Sequence, residues 1–382
     1  MNETRYDWLT DRWVIFAPNR EERPDQFKLN SRAVPSGGIE CPFCIGFEHE
    51  TPHPTLVLPE YDSDATTSNR KPAPSASSPR PWKVRVVPNK YPAVPRSNAP
   101  DALVPELGEN FSIVEHADFR SPSAVESRLS PHVSTATLEG SQIFQRRRPL
   151  GGHEVIVESP NHVDSITALP IDHIAMVFEA YRRRLVYWRA QSDMKYAVVF
   201  KNFGSDAGAS LFHSHSQLIS LDFVPRDIER IQERLGLYLR QFGRCYLCEM
   251  IEEEVLREER VLLKTEHFVA ICPFASRFPF SFSVVPRQHR DSFEEITAEE
   301  MHDLANVTKR TLQALEAARP SASYNFVLQT SPFQSCQKES SHWRLRIIPR
   351  LSKVAGFEWG SDCFINTITP ELAAAILREH LK

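Results

Sequence analysis

His153-Glu-Val-Ile-Val-Glu158 runs into Asn161-His162-Val163-Asp164-Ser165, and Phe280 to Pro286 runs into Gln288-His289-Arg290-Asp291-Ser292. Each segment is a β-prone apolar run that ends in His-x-Asp-Ser. Upstream of the first stands Cys41-Pro-Phe-Cys44, and upstream of the second Cys245-Tyr-Leu-Cys248. Downstream of each comes a stretch of helical periodicity. Ile174, Val177, Phe178, Tyr181, Leu185 and Trp188 share one face of the first, and Met301, Leu304, Val307, Leu312 and Leu315 one face of the second. Asp172 and Thr297 stand where N-caps are expected, the latter with Glu300 three residues on as a capping box. The β-rich runs Tyr196 to Phe200 and Tyr324 to Leu328 follow, each leading to a further histidine: His213 in His-Ser-His-Ser-Gln, and His342 in His-Trp-Arg-Leu-Arg. So long an ordered series implies internal duplication. The predicted fold class is α+β, in two duplicated halves, each an antiparallel sheet with packed helices, over residues 1–225 and 226–382. A Ser/Pro/Ala-rich stretch at 62–80 reads as a loop, and about 95–150 as an insertion in the first half.

The chain's 382 residues are enough for two such units and a sizeable core. With 41% hydrophobic and 25% charged residues it reads as a globular protein, not a disordered or fibrous one. A net charge of −4 gives no argument for nucleic-acid or membrane-surface binding, and no apolar run approaches a bilayer span. The start, MNETRYDWLTDRWVIF at residues 1–16, lacks a basic, then apolar leader, so a cytoplasmic location is expected. There are only 13 glycines and neither a G-x-G-x-x-G nor a G-x-x-x-x-G-K-[ST] motif, so phosphate, if bound, is held another way. Seven cysteines in a reducing compartment point to metal or thiol chemistry over disulfides.

Two metal sites follow from the repeat. A structural zinc site takes four cysteine or histidine ligands in a tetrahedron, commonly two from one tight turn and two from elsewhere. Cys41, Cys44, His162 and His213 supply one set; Cys245, Cys248, His289 and His342 supply the other. Two zinc ions per chain are therefore expected, with Asp164 and Asp291 as candidates to hold the ligand tautomers. Taken singly, His162 or His289 could equally be a capping or core histidine; their shared context favours the metal. Cys272, Cys336 and Cys363 read as ordinary buried or half-buried thiols.

The halves differ at one place. Two residues after His213 stands His215, whereas two after His342 stands Arg344. Alternate residues of a strand point the same way, which puts His215 beside His213 with its ring free of the metal, and Gln217 on the same face. A neutral imidazole can attack phosphorus and form a phosphoramidate that a second acceptor resolves. The second half, with Arg344 and Arg346, can support the fold or bind phosphate by charge alone. The small-residue loop from Asn202 to Ser210 could offer backbone amides to phosphoryl oxygens, or be a plain turn between strands.

Arg20-x-x-Arg23-Pro24, the C-x-x-C, Asn89, Ser-Pro-Asn-His162, Asn202-x-Gly204-x-x-x-Gly208-x-Ser210, His213-x-His215-x-Gln217 and the late Gly356-Phe357-Glu358 resemble, in that order, the galactose-1-phosphate uridylyltransferases and the plant ADP-glucose phosphorylases of the histidine-triad superfamily. The resemblance covers nearly the whole chain outside 62–80 and 95–150, and makes the halves histidine-triad-like. It implies that His215 is the nucleophile and that Gln217 hydrogen-bonds the transferred phosphoryl group. Arg20, Arg23 and Asn89 are then expected to bind the nucleotide, and Asn202, Gly208 and Ser210 the phosphates. Gly356, Phe357 and Glu358 are expected to reach the hexose in a partner subunit, which implies a homodimer. The implied partners are a nucleotide sugar and a hexose 1-phosphate or phosphate. Glutamine at 217, where the superfamily's hydrolases carry histidine, favours such an acceptor over water. The uridylyltransferase pattern is His-Pro-His; Ser214 and the second C-x-x-C are nearer to the phosphorylase branch. Arg346-Ile-Ile348 stands where many bacterial uridylyltransferases have an iron-binding His-x-His, so no iron is expected. Ping-pong transfer by a galactose-1-phosphate uridylyltransferase is the first expectation, ADP-glucose phosphorolysis the second, and nucleotide-sugar or dinucleotide hydrolysis the third. A zinc-stapled binding module without catalysis is the alternative outside enzymology.

Overall fold

A computed structural model describes residues 2–18, 41–59, 82–95, 149–320 and 322–381, and the backbone of 139–140 and 145–146. The strands are β1 (Glu3–Asp7), β2 (Arg12–Phe16), β3 (Leu56–Leu58), β4 (Val84–Pro88), β5 (Glu139–Gly140), β6 (Gln145–Arg146), β7 (Gly151–Val157), β8 (Tyr196–Phe203), β9 (His215–Leu221), β10 (Val261–Lys264), β11 (Phe268–Ile271), β12 (Phe282–Pro286), β13 (Tyr324–Gln329), β14 (Arg344–Pro349) and β15 (Phe364–Asn366). The helices are α1 (Ile171–Arg189), α2 (Arg226–Phe242), α3 (Tyr246–Arg257), α4 (Ala298–Ala318), α5 (Gly356–Ser361) and α6 (Pro370–Glu379).

One 10-stranded sheet organises the molecule, in the order β10-β11-β12-β14-β13-β8-β9-β7-β4-β3. Every neighbouring pair in it is antiparallel. Read from either edge inward, the two sets of five strands have the same connectivity, so the duplication is visible in the topology. The halves meet where β8 pairs with β13, with Asn202 opposite Asn325 and Lys201 opposite Phe326. A separate small sheet pairs β1 with β2, and β2 with β15 in parallel.

Strand alternation assigns the two faces of the large sheet different work. Val84, Val86, Ile156 and Leu218 in one half, and Phe282, Val284, Leu345 and Ile347 in the other, point into the main core beneath α1 and α4. Their sequence neighbours Val87, Val155 and Val157 pack on the opposite face with Cys41, Phe43 and Trp82. His215 and Gln217, two apart on β9, and Arg344 and Arg346, two apart on β14, alternate with the core residues Leu218, Leu345 and Ile347 and so belong to that opposite face.

The apolar stripes named from the sequence are buried in both long helices. Thr297 caps α4 with the full capping box: its side chain accepts from Glu300 N–H while Glu300 accepts from Thr297 N–H. Asp172 is not the N-cap of α1. Pro170 holds that position, with its fixed φ at the start of the helix, and Asp172 lies in the first turn, where a carboxylate still meets the positive end of the helix dipole. Of the remaining thiols, Cys272 is buried and Cys363 half-buried, but Cys336 is exposed.

Candidate functional site

The C-x-x-C turns and the histidines that follow converge as the repeat implies. In each half the four ligand atoms of Cys41, Cys44, His162 and His213, or of Cys245, Cys248, His289 and His342, lie within 4.8 Å of one another. Nδ1 of His213 is 3.5 Å from the sulfurs of Cys41 and Cys44, and Nδ1 of His162 is 3.5 Å from Cys44. In the second group, Cys248 is 3.4 Å from Nδ1 of His289 and 3.6 Å from Nδ1 of His342. Metal–sulfur bonds of about 2.3 Å and metal–nitrogen bonds of about 2.05 Å at tetrahedral angles give sulfur–nitrogen edges of roughly 3.6 Å. The spacing fits a tetrahedral cation. Electrostatics agrees, because burial, and then the neighbouring Cys41, pushes the Cys44 thiol up to about 11, a strain that a cation between the sulfurs relieves.

The tautomers of three of these histidines are set by backbone carbonyls, and for His289 that carbonyl stands in place of the Asp291 carboxylate foreseen from the sequence. Nε2 of His213 donates to Ser159 O at 2.8 Å, that of His289 to Lys338 O at 3.0 Å and that of His342 to Pro286 O at 3.1 Å. Each Nδ1 keeps its lone pair for the cluster.

His215 stands beside this cluster but outside it. Phe43 meets the rings of both His213 and His215 edge-on, at 5.9 and 5.3 Å. Nδ1–H of His215 donates to the carbonyl of His213 at 2.7 Å, so Nε2 holds the free lone pair. Burial, and then the nearby Lys201 ammonium, hold the His215 pKa below the ordinary histidine value, so the ring is neutral near pH 7.

A cavity of about 510 Å³ opens beside it, lined by His215, Gln217, Asn89, Ser210, Phe43 and Tyr91 among others. A smaller one, of about 120 Å³, is lined by Asn202, Ser210, His213 and His215. Asn202 donates to Gly208 O at 3.4 Å, and Asn325, from the second half, donates to Asn202 Oδ1 at 2.9 Å and Ala207 O at 2.8 Å, pinning the loop. Gly204, at φ 83°, has no room for a side chain: a Cβ there would lie 2.2 Å from Ser323 Oγ. Gly356, Phe357 and Glu358 start α5, which lines neither cavity; Phe357 and Trp359 are exposed there. Arg20 and Arg23 lie outside the described residues.

The structure adds residues that the sequence did not single out. Ala93 N–H donates to Nδ1 of His153, which leaves the proton on Nε2, and Nε2–H donates to Oε1 of Gln217 at 2.7 Å. That fixes the Gln217 amide with its NH₂ free for the cavity, as a donor only. Under His215 lies a buried network. Lys201 donates to Glu158 at 2.7 Å, Ser214 Oγ at 2.9 Å and His215 O at 3.0 Å. Glu158 also accepts from Ser214 at 2.5 Å, from Ser216, and from Tyr181 at 3.3 Å. Burial alone would raise the Glu158 pKa, but Lys201 and the serine hydroxyls outweigh it and hold it below the usual carboxylate range.

Residues 134–382 match a family model described as a domain of unknown function, DUF4921. ADP-glucose phosphorylase of Arabidopsis thaliana is 31% identical over 99% of this chain and 92% of its own length. Galactose-1-phosphate uridylyltransferase of Thermotoga maritima is 28% identical over 99% and 98%. The crystal structure of the Arabidopsis thaliana ADP-glucose phosphorylase with bound ADP-glucose superposes with a TM-score of 0.74 at 30% identity, covering 99% of this chain and 98% of that one. With this overlap along nearly the whole length, and with a neutral histidine on the strand face opposite the helices, the chain belongs to the nucleotidyltransferase family of the galactose-1-phosphate uridylyltransferases and ADP-glucose phosphorylases.

Proposed function

We propose that this enzyme transfers an adenylyl group from ADP-glucose to phosphate through a covalent adenylyl-histidine at Nε2 of His215. The observation that carries the reading is the His215 ring itself: buried, neutral, its Nδ1–H committed to the His213 carbonyl and its Nε2 lone pair free beside a cavity of about 510 Å³. In the first step that lone pair attacks the α-phosphorus of ADP-glucose. The bond to the β-phosphate oxygen breaks, and glucose 1-phosphate departs. In the second, a phosphate oxygen attacks the same phosphorus, the bond to Nε2 breaks and ADP forms. Both leaving groups are stable without a new proton, which suits Gln217, a donor without acid chemistry, next to the nucleophile. Asn89, Ser210 and the Asn202–Gly208 loop line or border the cavities where nucleotide and phosphates would sit, and the NH₂ of Gln217, oriented by His153, would bond the transferred phosphoryl group. Arg20 and Arg23 are proposed to complete the nucleotide contacts.

Adenylyl chemistry takes precedence over the uridylyl transfer expected first from the sequence. Support comes from Ser214 in place of proline and from the 31% identity to an ADP-glucose phosphorylase. Uridylyl transfer to galactose 1-phosphate is the second reading, favoured by the 28% identity to the Thermotoga maritima uridylyltransferase over 99% of this chain. Zinc is the proposed occupant of both Cys₂His₂ clusters, where it would tie together segments distant in sequence; neither cluster has a ligand position left for substrate. We further propose a division at about residue 225 into a half with the nucleophile and a half without. The proposed homodimer has Gly356, Phe357 and Glu358 at the start of α5 reaching the partner's hexose site, with the Phe357 ring exposed.

Intact-mass measurement after mixing with ADP-glucose, and separately with UDP-glucose, tests the reading. One adenylyl group per chain is expected from ADP-glucose, lost on adding phosphate with release of ADP, and absent in His215→Ala, which should stay folded. An adduct from UDP-glucose alone, discharged by galactose 1-phosphate, would establish the second reading. Steady turnover without any added acceptor would make the enzyme a hydrolase.

A further inference from the structure

The second half keeps a pocket where the first half has its large cavity. Both are lined by the residues between the paired cysteines, Pro42 and Phe43 in one and Tyr246 and Leu247 in the other. Both are lined by the second and fourth residues after the last histidine of the metal cluster, which are His215 and Gln217 on β9 but Arg344 and Arg346 on β14. Arg277 joins these two, and the turn between β1 and β2 supplies a wall, from Tyr6 to Thr10, with Trp8 stacked on Tyr246 at 4.7 Å.

Charge in this pocket is unbalanced. Two carboxylates line it against three guanidinium groups, and neither forms an ion pair with any of the three among the described residues. Glu254 is bound to Arg260. Asp7 Oδ1 accepts from the N–H groups of Leu9 and Thr10, and its Oδ2 from the Thr10 hydroxyl. Among the described residues Arg344 bonds only a neutral amide, Gln329 Oε1, at 3.1 Å. Burial, and then repulsion from neighbouring arginines, bring Arg277 and Arg346 down to about 10. Ser281 Oγ, which also lines the pocket, is buried without a hydrogen-bond partner among the described residues. Clustered cations beside an idle hydroxyl make the setting that an oxyanion stabilises.

We infer that this second-half pocket is a binding site for inorganic phosphate or the phosphoryl group of a small phosphate ester, held by Arg277, Arg344 and Arg346. Size selects the class: the pocket holds about 110 Å³, room for a phosphate group and little more, against about 510 Å³ beside His215. No lone pair is available on a protonated guanidinium, so the bound anion is not activated. Its effect is to clamp the β1–β2 hairpin against the second half.

Hydrogen exchange of the full-length protein in inorganic phosphate, against chloride at equal ionic strength, reads this directly, because the wall from Tyr6 to Thr10 belongs to this pocket and does not line the cavity at His215. Protection of the peptide covering residues 6–10 by at least severalfold, with a rise in melting temperature, is expected. Arg346→Gln should abolish the protection of residues 6–10 while still forming the adduct on His215, and should keep only the part of the thermal shift that phosphate bound beside His215 contributes. Glucose 1-phosphate in place of phosphate tells the two sources apart: equal protection means that an ester is accepted, and none means that the site takes the free ion. Unchanged exchange at residues 6–10 in wild-type protein at saturating phosphate and glucose 1-phosphate would overturn the inference, and needs no variant to fold. So would equal protection in a folded Arg346→Gln.

Discussion

Lys201→Met is the substitution that most directly tests how the fold supports His215, the proposed nucleophile. Lys201 and Glu158 are 1% and 0% exposed in their side chains and 2.7 Å apart. Removing the ammonium leaves a buried carboxylate with only hydroxyl donors, and breaking a buried pair from one side costs about 3–5 kcal/mol. Ser214 Oγ and the His215 carbonyl each lose a donor as well, although Ser214 keeps its bond to Glu158. The expected loss in urea unfolding is therefore about 4 kcal/mol. The companion Lys201→Met/Glu158→Gln removes both charges yet keeps a carbonyl oxygen for Ser214, Ser216 and Tyr181. It should recover about 2 kcal/mol of that loss, the coupling expected of a contacting pair. Adduct formation should slow in folded Lys201→Met, because the backbone carrying His215 has lost its anchor at 3.0 Å. A single variant that loses less than about 1 kcal/mol, or a double variant no more stable than the single, would show that the pair is not the support described.

Two other outcomes follow from the same structure. Cys245→Ser should bring the zinc content measured by elemental analysis from two ions per chain to one and lower the melting temperature, since that cluster joins the start of α3 to residues 289 and 342; a stable wild-type protein free of zinc would refute it. Glu371 accepts from Arg5 at 2.8 and 3.0 Å and from Arg260 at 2.8 Å; burial alone would raise its pKa, but these bonds prevail and hold it at about 2. Its folded value lies below the 4.5 of an unperturbed glutamate, so the stability it contributes is present above about pH 4.5 and lost as pH falls toward 2. Glu371→Gln should flatten the acid limb of the stability curve in that window; an unchanged acid limb would refute the assignment.

Most of the scaffold was legible in the sequence, because its signals are local. Period located α1 and α4, the latter with its capping box as well, and the ligand spacing located both clusters, since a C-x-x-C turn and a histidine near a strand end are each set within a few residues. What escaped depends on contacts that no local pattern carries. Lys201 shares the core face of β8 with Ala197, Val199 and Phe203, and no local pattern announces its partner; only the fold brings Glu158 to it. His153 reads as the polar start of an apolar strand, and its hold on Gln217 exists only because β7 lies next to β9. Asp172 was misplaced by two residues because proline starts a helix without any side-chain bond to announce it.

Joining the halves through β8 and β13 could not be read from either half alone, yet it bears on the chemistry. The pairing sets Asn325, a second-half residue, opposite Asn202, and its side chain holds both Asn202 and the Ala207 carbonyl of the small-residue loop. The half without the proposed nucleophile thus still shapes the cavity of the other. The helix-side residues Leu218 of β9 and Leu345 and Ile347 of β14 are tied to one shared core, and the buried Ser216 to the network around Glu158. Only the opposite face is at liberty to change. There, two positions on one strand decide whether a half presents an imidazole with a lone pair or a fixed positive charge, and the scaffold beneath need not alter at all.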